Sequence, residues 1–228
     1  MYREWYRELV SRLAPVPGLS IELGSGIGKL REVAGDRVAL TDVERTPWVD
    51  EVVDAHAPPY EDGTLANIVM LDVFHHLADP ARFLDEAVRV LTPGGRVVMI
   101  EPYCSPVSTA VYRRFHHERT DLSADPFAAD KGIARAALEA NQALPTLVFF
   151  RRAGELARRW PGLRLVERRR FAFVLYPLSG GFSKPPLVPH ALYAPLRLFE
   201  RVLGPLAPLL AFRCLIVLEL AGPTRERA

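Results

Sequence analysis

The residues best placed to do chemistry fall into two groups. The first is Ile21-Glu22-Leu23-Gly24-Ser25-Gly26-Ile27-Gly28, where an apolar run passes through glycines into the opening of a helix. Glycines there let the backbone turn sharply and come close to a ligand, and a helix start offers free amide donors. A dinucleotide fingerprint needs G-x-G-x-x-G, whereas position 29 is Lys and the third glycine falls one residue early, at Gly28. Glu22 would repel a pyrophosphate, so the loop suits a ligand that carries a cation. The second group is rich in histidine: His75-His76 just beyond the apolar run 67–71, and His116-His117-Glu118 within Arg113-Arg114-Phe115-His116-His117-Glu118-Arg119. Histidine suits proton transfer near neutral pH. No metal is expected, because neighbouring side chains diverge on a strand or helix and no H-x-x-x-H spacing is present.

The elements that must position these residues show in the hydrophobic pattern. Short apolar runs at 19–23, 38–40, 51–53, 67–71 and 96–101 alternate with helical or loop segments, the pattern of a mostly parallel sheet with helices on both faces. Residues 80–91 read as a helix closed by Pro93-Gly94-Gly95. Tyr2, Trp5, Tyr6, Leu9, Val10 and Leu13 form the stripe of an amphipathic first helix that ends at Pro15. Beyond residue 101 the pattern predicts a helix around 132–144, a strand-like piece at 147–150, a basic helix at 152–160, and strands at 163–175 and 212–220. A chain of 228 residues, 49% of them apolar, is long enough for one domain with a sizeable core. Its 29 basic and 27 acidic side chains create no global field, so nucleic acid is not an expected partner. Eight arginines between 151 and 170 are interleaved with Glu155 and Glu167 and read as a solvated face. Two distant cysteines, Cys104 and Cys214, and the absence of an apolar leader in MYREWYRELVSRL point to the cytoplasm.

Five stretches in order resemble the class I S-adenosylmethionine-dependent methyltransferases, especially the small-molecule branch called type 11. They are the glycine loop, Asp42-Val43, Asp54-Ala55, Leu71-Asp72-Val73-Phe74-His75-His76-Leu77, and Arg89-Val90-Leu91-Thr92-Pro93-Gly94-Gly95-Arg96. The resemblance implies an α/β, Rossmann-like doubly wound sheet of seven strands in the order 3-2-1-4-5-7-6, with an antiparallel last pair. It also implies S-adenosylmethionine as cofactor, whose sulfonium and ammonium supply the cation that Glu22 favours. Glu22, Gly24, Ser25, Gly26 and Gly28 then belong to the cofactor loop. Asp42 grips the ribose hydroxyls with Val43 at the adenine edge, Asp54 and Ala55 address the adenine, and the backbone of Leu71 and Asp72 faces the methionine part.

Methyl transfer from a sulfonium removes charge, so approach geometry in a water-poor pocket supplies much of the catalysis. A hydroxyl acceptor also needs a base. His75 is the first candidate, at a strand end, followed by His117, His116 and Glu118; equally, His75 would only shape the pocket. If 113–119 is helical, Arg113 and His117 share one face and Arg114 and Glu118 another. Residues 1–17 read as a lid and 103–145 as an acceptor-side insert. Residues 176–211 separate the last two strands and hold seven of the 20 prolines, and so long a connection is more often functional than filler. Either it caps the acceptor pocket, or it turns apolar surface to a membrane, a lipid-like substrate or a partner subunit. The expected acceptor is a small, apolar or amphipathic molecule methylated at oxygen, and the oligomeric state is left open. Two other functions fit the loop less well: a non-methylating S-adenosylmethionine-binding role and nicotinamide-dependent oxidation.

Overall fold

The apolar runs of the N-terminal half become five parallel strands, β1 (Leu19–Leu23), β2 (Ala39–Asp42), β3 (Glu51–Val52), β4 (Leu65–Leu71) and β5 (Leu91–Pro102). Two antiparallel strands, β6 (Leu163–Phe171) and β7 (Arg213–Leu220), complete the sheet. The seven strands stand in the order β3-β2-β1-β4-β5-β7-β6, as the sequence motifs imply. This computed structural model describes residues 1–128, 140–179 and 187–222.

Alternation along the central strands builds two apolar layers. Ile68 and Met70, Val97 and Met99, and Ile216 and Leu218 enter one layer with Phe74, Phe83 and Phe149. Val69 and Leu71, Val98 and Ile100, and Leu215 and Val217 enter the other with Trp5 and Leu9. Helix α1 (Tyr2–Val10) supplies Trp5 and Leu9, and it shares its face of the sheet with the short α2 (Arg31–Ala34). Helix α3 (Pro80–Val90) covers the other face: Asp79 caps it by accepting from Arg82 N–H, Pro80 opens it, and Phe83, Leu84 and Ala87 are buried. β5 begins directly after α3, through an irregular stretch in which a Cβ on Gly95 would lie 2.9 Å from the Ala66 carbonyl. Glycine there is what lets β5 come alongside β4.

The C-terminal half departs from the sequence pattern in two places. Helices α4 (Pro106–Phe115), α5 (Leu144–Thr146) and α6 (Ala153–Arg159) follow β5, and residues 147–150 are not a strand but part of a wide helical turn, Leu147–Arg151. Its Phe149 ring packs 4.9 Å from Phe74, and a short apolar run of this kind reads the same whether strand or buried helix. The helix expected at 132–144 falls largely on 129–139, outside the described residues. The strand expected over 163–175 stops at Phe171. Ala172 adopts positive φ, and the carboxylate of Glu200 then accepts from the amides of Phe173, Val174 and Leu175 at 2.9, 2.7 and 2.8 Å, turning the chain into α7 (Leu175–Leu178).

The connection between β6 and β7 carries α8 (Tyr193–Val202) and α9 (Ala207–Leu210), with 180–186 outside the described residues. Ala207 and Ala211 are buried, whereas Leu198, Phe199, Val202 and Leu209 are exposed. Both cysteines are buried and unpaired in a disulfide, as packing residues. The arginines of β6 find local partners, Glu219 for Arg164 and Glu8 for Arg169. No helix among the described residues is long and apolar enough to cross a membrane.

The approach from α1 to β1 is pinned by one buried amide: Asn67 Oδ1 accepts from Ala14 N–H at 2.7 Å, and its Nδ2 donates to the Ala14 carbonyl and Ser20 Oγ. Asn67→Ala is expected to cost about 1–3 kcal/mol in denaturant unfolding, because it strands buried backbone groups.

Candidate active site

At the carboxyl end of β1 the chain turns through Gly24 and Gly26, both at positive φ. A Cβ on Gly24 would run into the Val73 side chain, so this loop rests on the segment after β4, while one on Gly26 would meet open space. That space belongs to a cleft of about 370 Å³ between the loop and α1, lined by Gly24, Ser25, Gly26, Leu71, Tyr2 and Tyr6 among others. Beneath the loop, Glu22 is buried, and one of its carboxylate oxygens has no hydrogen-bond partner. Burial pushes its pKa up to about 7, helped by Asp42 and opposed by Ser25.

Asp42 ends β2 and braces the loop, accepting from Gly26 N–H at 2.9 Å and Glu44 N–H at 3.2 Å. Gly28 packs against Trp48 and Leu40, and Val43 is exposed. Asp54 follows β3 with one oxygen engaged by His56, through its N–H at 2.8 Å and its ring Nδ1 at 3.0 Å; Ala55 is buried behind it.

The segment after β4 is organised by an acid that the motifs did not single out. Glu101, fully buried near the end of β5, accepts from Val73 N–H and Phe74 N–H at 2.8 Å each and from His75 N–H at 3.4 Å. His75 Nδ1 lies 2.7 Å from its other oxygen. Burial works against the charge of Glu101, but His75 and these amides outweigh it and hold the carboxyl below its usual range. The segment opens with Asp72 at positive φ, and its side chain turns to Arg213 at the start of β7. The Asp72 side chain is therefore committed to Arg213, a buried guanidinium lodged between the rings of Trp5 and Tyr176.

His75 to His76 form a tight turn, and Glu118 comes to meet them. His75 Nε2 lies 3.3 Å and His76 Nε2 3.8 Å from the Glu118 carboxylate, with His116 Nδ1 at 3.9 Å and His117 Nε2 at 3.7 Å. Burial disfavours a charged His75, yet the carboxylates of Glu101 and Glu118 on either side of the ring prevail and push its pKa up to about 9. Both of its nitrogens are engaged, which is not the arrangement of a free base. The helical register expected over 113–119 does not form. α4 ends at Phe115, His116 is extended, Glu118 turns inward and His117 is 81% exposed. Gln142, on the segment that re-enters beside His75, donates to Glu118.

The site so far is a glycine loop over a buried acid, an acid at the next strand end, and a polar cluster across from them. A family model described as "Methyltransferase domain" matches residues 21–99, which span β1 to β5 and hold all the loop residues above. Over this span the chain is similar to a methyltransferase domain.

A protein of transposon TN4556 from Streptomyces fradiae, described as uncharacterized and of 37.1 kDa, is 39% identical over 111 residues, 46% of this chain and 32% of that one. Tocopherol O-methyltransferase, chloroplastic, of Arabidopsis thaliana is 38% identical over 50 residues, 22% of this chain and 14% of that one. The chain thus matches a third or less of the length of these relatives. A crystal structure titled as a SAM-dependent methyltransferase from Archaeoglobus fulgidus superposes with a TM-score of 0.59 at 12% identity, over 96% of this chain and 92% of that one, and shows the same fold.

The cofactor of such a domain is S-adenosylmethionine, and the residues present fit it. The unpartnered oxygen of Glu22 suits a cationic group, the space at Gly26 admits a ligand to the backbone, and Asp42 stands at the β2 end with carboxylate oxygens for hydroxyl donors. Bound there, it supplies an electrophilic methyl group. Of the residues expected at this site, Gly24, Ser25, Gly26 and Leu71 line the cleft, Glu22 and Asp42 adjoin it, and His75, His76 and Glu118 gather beyond the β4 segment.

Because the folded chain holds a proton on Glu22 up to about pH 7 and the unfolded chain releases it near 4.5, the methyltransferase domain without ligand is expected to lose stability as pH rises through that window. Thermal melts between pH 5 and 8 should show the loss, and Glu22→Gln should flatten it.

Proposed function

We propose that the protein transfers the methyl group of S-adenosylmethionine to an oxygen of a small, apolar or amphipathic organic acceptor. The buried, half-satisfied carboxylate of Glu22 under an open glycine turn carries this reading, since it matches a cationic ligand and opposes a pyrophosphate. In this account the glycine loop holds the methionine end of the cofactor, Asp42 the ribose, and Asp54 with Ala55 the adenine side. The acceptor enters from the side of His75, His76 and Glu118, where His116 and His117 form the outer rim. Glu118 is only 13% exposed, so it presents charge in a place largely closed to water. His75, with both nitrogens engaged, fixes Glu118 rather than taking the acceptor's proton itself.

Oxygen as the methylated atom is favoured by the polar character of this cluster and by the partial match to a tocopherol O-methyltransferase. An amphipathic acceptor is favoured by the apolar residues that α8 and α9 leave exposed on the insert, which Glu200 ties to residues 173–175.

Calorimetric titration should give binding of S-adenosylmethionine and none of NAD; the reverse result would refute the proposal. Asp42→Ala should weaken S-adenosylmethionine about tenfold or more, the scale of a lost charged hydrogen bond. Glu118→Gln should leave that affinity within about twofold and slow S-adenosylhomocysteine formation about a hundredfold, the scale of losing an acid–base or orienting group. Unchanged turnover would remove Glu118 from the acceptor side.

A further inference from the structure

The geometry points to a site for a divalent ion of the first transition row, zinc in type, held by His75 Nε2, His76 Nε2 and the Glu118 carboxylate. These ligand atoms lie within 4.8 Å of one another. A charge-assisted hydrogen bond between imidazole and carboxylate is about 2.7–2.9 Å long, as His75 Nδ1 to Glu101 is at 2.7 Å. On the Glu118 side the separations are 3.3 Å for His75 and 3.8 Å for His76. Ligands about 2.0–2.2 Å from a tetrahedral zinc ion stand about 3.3–3.5 Å apart; His75 meets that spacing to one Glu118 oxygen, and a shared ion would draw His76, 3.8 Å from the other oxygen, slightly inward.

The surroundings agree. A ligating histidine ordinarily donates its other ring N–H to a carboxylate, which fixes tautomer and orientation, and Glu101 does this for His75. Gln142 donates to Glu118 and fixes the second anchor. The sequence argument that adjacent histidines diverge fails here because residues 74–76 form a tight helical turn that brings both rings to the same carboxylate, with centroids 4.2 Å apart. Asp72 and Glu101 also approach His75, but Arg213 occupies the first and backbone amides saturate the second. His116 Nδ1 accepts from Glu118 N–H and stays outside the set. Two imidazoles and a carboxylate match zinc and its neighbours better than magnesium or calcium.

Resting on the methyltransferase reading, this site selects acceptors with an oxygen that can ligate the ion. A hydroxyl bound there is acidified and loses its proton to solvent. Its oxygen then forms the bond to the methyl carbon as the carbon–sulfur bond breaks, and the sulfur keeps that electron pair.

The test uses the full chain, stripped with a chelator and titrated with Co²⁺ as a spectroscopic probe and with Zn²⁺ by calorimetry, while S-adenosylmethionine binding is measured in parallel. One equivalent of Co²⁺ with visible ligand-field bands, displaced by Zn²⁺, is expected. His76→Ala, at a half-exposed residue, should weaken binding at least a hundredfold with S-adenosylmethionine affinity retained, and Glu101→Gln should weaken it about 10–100-fold. Failure of the wild-type chain to bind either ion, or equal binding by His76→Ala, would overturn the metal site and leave the methyltransferase reading standing. Metal binding without S-adenosylmethionine binding would support the metal site and refute that reading.

Discussion

A single buried carboxylate holds the two halves of this site in register. Glu101 sits at the end of the central strand β5 with no exposure to water, where an ionised carboxyl carries a desolvation cost of several kcal/mol unless fully engaged. It is fully engaged, by consecutive amides of residues 73–75 and by the His75 ring. Meeting that demand forces the segment after β4 into one shape. The shape begins at Asp72 in a left-handed conformation, which for a non-glycine residue persists only where its surroundings determine it. Arg213 supplies the other half of that determination.

Two consequences follow on opposite sides of the segment. On one side Val73 becomes the surface against which Gly24 closes, so the glycine loop takes its position from the same carboxylate. On the other, His75 is clamped and aimed at Glu118. The loop that receives a cofactor and the cluster that faces an acceptor are therefore built from adjacent residues of one turn. Helix α1 completes the first side with Tyr2 and Tyr6, and packing of Trp5 against Arg213 ties that helix to the same polar centre.

Much of this was legible in the sequence. The strand order follows from the family that the motifs resemble, and the sharp turn after β1 from its run of glycines. Glu101 was not, because an acid at the end of an apolar run looks like the strand's exit to solvent; only the shortage of partners for three amides of the β4 segment would have revealed it. The pairing of the Asp72 side chain was not legible either, because its partner Arg213 lies on the last strand, far along the chain. Glu118 was placed on a helix face, but α4 ends at Phe115 and the carboxylate meets His75 and Gln142, partners distant in the chain. Leu147–Arg151 and the end of β6 were misread for a related reason: Phe149 and Glu200 act through contacts made across the fold, which no local pattern records.

The central claim is that one turn, fixed by Glu101, presents a cofactor on one side and an acceptor cluster on the other. A crystal structure with S-adenosylhomocysteine bound tests it most directly. The account predicts the homocysteine part against Gly24, Gly26 and Leu71, with the sulfur on the side of the turn that opens toward His76 and Glu118. A ligand seated away from the glycine loop, or a sulfur walled off from Glu118, would contradict it.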